Sequence, residues 1–216
     1  MLLIIVIYIA FISLGLPDSM LGAAWPAMYQ DLHVPVSYAG FISMTICFGT
    51  VVSSICYSRL SRRFHTETIT IVSVAATAAA LLGFSLAPTF PILIALALIL
   101  GLGAGSVDAG LNNYVALHFK ARAMNFLHAS WGLGTLVGPF LLSYLFANGL
   151  GWRPGYRVLG TAQSCIVLLL IFSIPLWRSN RTDEGSSESG EESAMDAGVA
   201  IREKGVAAAL IGFFSY

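Results

Sequence analysis

The chain has 216 residues, of which 57% are hydrophobic and only 10% charged, with a mean hydropathy of +0.81. Soluble domains carry about a quarter charged residues, so this composition excludes an ordinary soluble enzyme or binding module. Eleven basic residues balance eleven acidic ones, and no nucleic-acid partner is expected from a neutral chain.

A helix crosses a bilayer with about 20 apolar residues, and six stretches qualify: 2–29, 38–57, 69–87, 92–116, 124–150 and 156–176. They predict an all-α membrane protein with a six-helix transmembrane bundle over residues 1–176. The first stretch lacks a basic leader and is too long for a secretory signal, so it reads as a span. It contains GLPDSMLGAAWPAM at 15–28, where Pro17 and Pro26 are expected to interrupt the backbone. Asp18 lies roughly 24 Å along from Leu2 at about 1.5 Å per residue. An acid in a broken helix commonly marks a transporter binding site. The alternative is that Asp18 ends a shorter helix and faces external water.

The second stretch ends in CYSRLSRRFHTE, whose Arg59, Arg62 and Arg63 form a basic turn. The third is rich in Ala, Val and small hydroxyl residues and reads as a packing helix. A connection of only four residues, 88–91, makes the third and fourth neighbours. Three cysteines, Cys47, Cys56 and Cys165, lack metal-ligand or redox spacing and read as small core residues kept reduced. No catalytic residue, metal or cofactor is expected.

The fourth stretch holds the strongest functional signal, GLGAGSVDAGLNNYVALHF at 101–119. An Asp near the centre of a membrane helix costs about 2.5–3.5 kcal/mol on insertion scales, so such residues face a cavity or a partner. At about 100° per residue, Gly101, Gly105, Asp108 and Asn112 share one narrow stripe. The glycines admit a neighbouring helix, and the polar pair then lines a transport pathway. The fifth stretch reads MNFLHASWGLGTLVGPFLL, in which Gly134 and Gly138 form a close-packing pair ahead of Pro139. His128 fits either a hydrogen-bonded structural residue or a proton carrier, and Trp131 either an interfacial aromatic or a platform for a sugar ring. The sixth stretch offers Gln163 as a buried polar group.

Beyond the bundle, residues 177–205 are acidic and rich in Ser and Gly, as in a disordered cytoplasmic linker. Residues 206–216, VAAALIGFFSY, are apolar but too few to span and read as the truncated start of a seventh helix. Arg59, Arg62, Arg63, Lys120, Arg122, Arg178 and Arg181 fall on one side of the predicted bundle, and Arg153 and Arg157 on the other. Basic residues favour the cytoplasmic side, so both ends of the bundle are expected there. An internal echo joins the halves of the bundle: Gly15-x-x-Asp18-x-x-Leu21 and Gly105-x-x-Asp108-x-x-Leu111 take equivalent places if spans 1–3 and 4–6 are inverted repeats.

The motifs GLPDSMLGAAWP, VDAGLNNYVALH and MNFLHASWGLGTLVGP, with the basic turn, resemble the amino-terminal half of a major facilitator superfamily transporter similar to the fucose–proton symporter group. The resemblance implies twelve helices in two halves and proton-coupled uptake of a sugar-like solute across the cell membrane. Asp108 takes a place that is Glu in the fucose carrier and is implied to couple protons. Asp18 is implied to bind solute; from the residues themselves, Asn112, Asn113, His128, Trp131 and Gln163 are expected to line the site. Arg59, Arg62 and Arg63 correspond to a cytoplasmic gate, but the family's usual acid and glycine there are replaced by Ser58 and His65. The expected partners are the lipid bilayer, a small-molecule solute, protons, and a missing carboxy-terminal half or second copy. Other readings are a drug or metabolite antiporter, a transport-inactive fragment, and a half-carrier that needs a partner. An intramembrane protease is disfavoured because the chain has no GxSG motif and the sixth stretch no histidine.

Overall fold

The computed structural model describes residues 2–177. Seven α-helices follow in order: α1 (Leu2–Gly15), α2 (Met20–Asp31), α3 (Ala39–Leu60), α4 (Thr66–Leu86), α5 (Phe90–His118), α6 (Ala121–Ala147) and α7 (Trp152–Phe172). A 3-10 turn, Val36–Tyr38, leads into α3. α1 and α2 together make one span, so among the described residues six apolar segments are long enough to cross a membrane. The described residues are all-α, with the architecture of a six-helix half. Trp177, the first residue of the expected linker, is buried in the bundle; the rest of the acidic linker, the start of a seventh helix, Arg178 and Arg181 lie outside the described residues.

The break between α1 and α2 falls at residues 16–19. Pro17 has no N–H to donate, and its ring collides with the preceding turn. The turn is closed by Asp18 N–H donating to the Gly15 carbonyl at 3.3 Å and Met20 N–H to Pro17 at 3.1 Å. Pro26 behaves differently from the sequence expectation, because α2 continues through it. Buried Ala24, Trp25 and Met28 hold that turn, and the Trp25 indole donates to the Val36 carbonyl at 2.7 Å.

The spans pack in equivalent pairs. α1 lies along α6 and α3 along α5, while α4 packs between α5 and α7. Small residues set both close crossings. A Cβ on Gly134 would meet the Ile12 carbonyl and the Gly15 Cα, and one on Gly101 would meet Ile46 backbone. Gly138 approaches Ser19 and Leu16, and Gly105 approaches Thr50 and Ser53. Two apolar clusters fill the bundle. One is built around Met20, Trp25, Met28, Leu81 and Tyr156, the other around Ile7, Phe11, Leu111, Leu127 and Trp177.

The three cysteines are exposed rather than in the core. In a bilayer the outer surface is as apolar as the interior, so hydrophobic character alone does not separate the lipid-facing side from the packed side.

Candidate functional site

The Gly15–Gly134 crossing brings α1 against α6 immediately before the break. Asp18 emerges from that break, and its Oδ2 accepts a hydrogen bond from Trp131 Nε1 at 2.8 Å. Next to it, Ser19 Oγ donates to the Thr135 carbonyl. The acid is thus held to α6 through both backbone packing and side-chain contacts.

The crossing of α3 and α5 builds a second wall in the same way. Thr50 Oγ1 donates to the carbonyls of Ile46 at 3.0 Å and Gly101 at 3.3 Å. Ser54 Oγ donates to the Gly105 carbonyl at 3.2 Å. Three residues beyond Gly105, Asp108 accepts from Asn112 Nδ2 at 2.9 Å through its Oδ1. The same amide donates to the Asp108 carbonyl at 3.0 Å.

Between these walls lies a cavity of about 340 Å³ lined by Asp18, Asp108, Thr50, His128, Trp131 and Phe11, with Leu14, Ile46 and Ala104. Small-ligand sites commonly occupy about 300–1,000 Å³ and combine apolar walls with a few convergent polar groups. The two carboxylates are close enough to interact electrostatically, as are Asp108 and His128. The His128 ring also meets Phe11 edge-on at 6.2 Å. Asp18 and Asp108, at matching places in the sequence echo, therefore converge on one space from different helices.

Other sequence candidates stand elsewhere. Asn112 does not line the cavity; its amide bonds Asp108, which does. Asn113 is exposed on another face of α5, because the next residue along a helix points about 100° away. Gln163 is not a lining residue either. It is buried between α7 and α4, where its Nε2 donates to Thr77 Oγ1 at 2.8 Å. Arg59, Arg62 and Arg63 are exposed at the end of α3 and in the turn that follows. Ser58 there turns its hydroxyl back to the Ile55 carbonyl at 3.3 Å.

Five lining residues, Phe11, Leu14, Ile46, Thr50 and Ala104, escaped the sequence reading. Thr50 is a small hydroxyl residue that satisfies itself on helix carbonyls, and Phe11 is one apolar residue among many. At the opposite end of the bundle, Arg153 pairs with Asp31 and donates to the Ala87 carbonyl at 3.0 Å. Its guanidinium also lies 4.4 Å from the Trp152 ring centre. This cluster joins α2, α4 and α7, a role that the count of basic residues did not reveal.

Comparison with known proteins agrees with the architecture. The family model of the Major Facilitator Superfamily matches residues 7–216. The niacin transporter NiaP of Acinetobacter baylyi is 29% identical over 171 residues, covering 75% of this chain and 37% of that protein. A probable peptide/nitrate transporter of Arabidopsis thaliana is 24% identical, over 64% of this chain and 31% of its own length. The efflux pump aflT of Aspergillus parasiticus is 22% identical, over 79% and 34% respectively. The chain thus spans about a third of the length of these relatives.

Proposed function

Because the chain belongs to the major facilitator superfamily, we propose that it forms one half of a secondary active transporter taking up a sugar-like solute with protons. The observation that carries this reading is the convergence of Asp18 and Asp108 on a single cavity. Sugar hydroxyls need acceptors, and a carboxylate accepts but does not donate when ionised. With Oδ2 of Asp18 engaged by Trp131, its other oxygen is available to a solute hydroxyl. Asp108 carries the coupled proton, and Asn112 moves with it on the same helix. His128 and Trp131 complete the lining, with the Trp131 ring as a platform for the solute.

A second six-helix half, from a carboxy-terminal continuation or a second copy, supplies the facing wall. The two halves rock about the central site, exposing it to each side in turn. On this reading the protein sits in the plasma membrane, and the excess of basic residues supports a cytoplasmic side for the arginine turn and both ends of the six-span bundle. There Arg59, Arg62 and Arg63 form the basic side of the gate. Residues 1–176 form the bundle, 177–205 the linker, and 206–216 the beginning of the next helix.

The test is uptake of labelled fucose, galactose and glucose into proteoliposomes under an inward proton gradient. The chain is assayed alone and joined to the carboxy-terminal half of a related carrier. Uphill uptake of at least one sugar that is lost in Asp108→Asn supports the reading; proton-driven accumulation that survives Asp108→Asn overturns it. An export reading draws on the likeness to the efflux pump aflT. It predicts the opposite sign of proton movement when solute leaves the vesicle.

A further inference from the structure

We infer that the basic turn and the groove beside it form a binding site for an anionic phospholipid, with the phosphate at the arginines and an acyl chain in the groove. A cavity of about 170 Å³ opens between the end of α3 and the first half of α4. Leu60, Phe64, Thr68, Ile69, Val72 and Ser73 line it. Phe64 and Val72 are 49% and 63% exposed, so the groove opens on the outer surface, whereas Ile69 and Ser73 are buried and form its floor. Its walls are apolar, as an acyl chain requires.

Charge selects the headgroup. Arg59, Arg62 and Arg63 are all exposed, interleaved with the groove residues Leu60 and Phe64. Among the described residues no carboxylate forms an ion pair with any of them. Ser58 contributes only a hydroxyl, and that hydroxyl is turned to its own helix. Glu67, the nearest acid along the chain, is buried and already has a partner. Three cations at a helix end without a counter-ion among the described residues suit a phosphate, which guanidinium groups bind in a bidentate manner. Basic clusters next to membrane helices on the cytoplasmic side recruit acidic lipids in this way. The inference rests on the proposed orientation for its source of acidic lipid, but not on transport.

Native mass spectrometry of the full, delipidated chain tests it, with phosphatidylglycerol and phosphatidylcholine of identical acyl chains as probes. Phosphatidylglycerol should be retained at least about fivefold better, the effect of one engaged arginine near a lipid phosphate. Replacing Arg59, Arg62 and Arg63 together with Gln should erase that preference, while Arg157→Gln at the other end should leave it. Val72→Trp keeps every charge but fills the groove, and should also lower retention. Equal retention of the two lipids, or a preference that survives the triple replacement, overturns the site. Should Val72→Trp bind as the parent does, the attraction is to surface charge alone and the groove has no part in it. Far-ultraviolet circular dichroism checks that each variant keeps its helices, and a variant that unfolds leaves the remaining ones to decide.

Discussion

Adding one methyl group to α6 provides a test of the close crossing that positions Asp18. A Cβ on Gly134 would overlap the Ile12 carbonyl oxygen and lie 3.0 Å from its carbon and 3.1 Å from the Gly15 Cα. All three are backbone atoms, so no side chain can swing away. Comfortable carbon contacts are about 3.5–4.0 Å, and the two helices must separate by several tenths of an ångström or more. Overpacking of this kind costs about 1–3 kcal/mol. Gly132, half a turn away on the same helix, has no heavy atom within 4 Å of the equivalent position. Gly132→Ala should therefore be neutral, or stabilising by up to about 1 kcal/mol through helix propensity. The assay is unfolding of the purified chain in mixed micelles with increasing dodecyl sulfate, followed by circular dichroism. Gly134→Ala should unfold earlier than the parent and Gly132→Ala at the same point or later. Equal behaviour of the two variants would refute the crossing.

Trp131→Phe keeps an aromatic ring but deletes the donor to Asp18; because this hydrogen bond is open to water, a loss of about 0.5–1.5 kcal/mol is expected in the same unfolding assay, and unchanged stability would count against the contact. Gln163→Leu should be tolerated within about 1 kcal/mol, because its Oε1 is buried without a hydrogen-bond partner and Thr77 keeps its bond to the Val74 carbonyl. Loss of proton-driven uptake in that variant, with folding intact, would return Gln163 to the site. Arg153→Ala removes an ion pair with Asp31 that is partly open to water, together with a carbonyl bond and a ring contact. A loss of about 1 kcal/mol is expected, since exposed pairs contribute little; a loss several times larger would mean that the outer cluster holds the bundle together.

Span number and span position were legible because bilayer thickness leaves a long apolar signature. Asp18, Asp108 and the glycines three residues before them were legible for a related reason: each violates the apolar rule where violation is expensive, or leaves a gap that only another helix fills. Position around a helix was harder to read. Asn113 and Gln163 are as polar as Asn112, yet one is exposed and the other is buried between α4 and α7. The same ambiguity moved Cys47, Cys56 and Cys165 from the expected core to the surface. Pro17 and Pro26 looked alike in sequence, but only Pro17 ends a helix, because packing around Trp25 holds the turn at Pro26 together. The pairing of Trp131 with Asp18 spans 113 positions of sequence and had no local signature.

The most direct measurement pairs Asp18→Cys with Asp108→Cys in a background where Cys47, Cys56 and Cys165 are Ser. A charged, water-soluble thiol reagent should modify both positions, and a short bifunctional thiol reagent should bridge them. Two unreactive thiols, or two that react singly but are never bridged, would contradict a shared polar cavity between the helices.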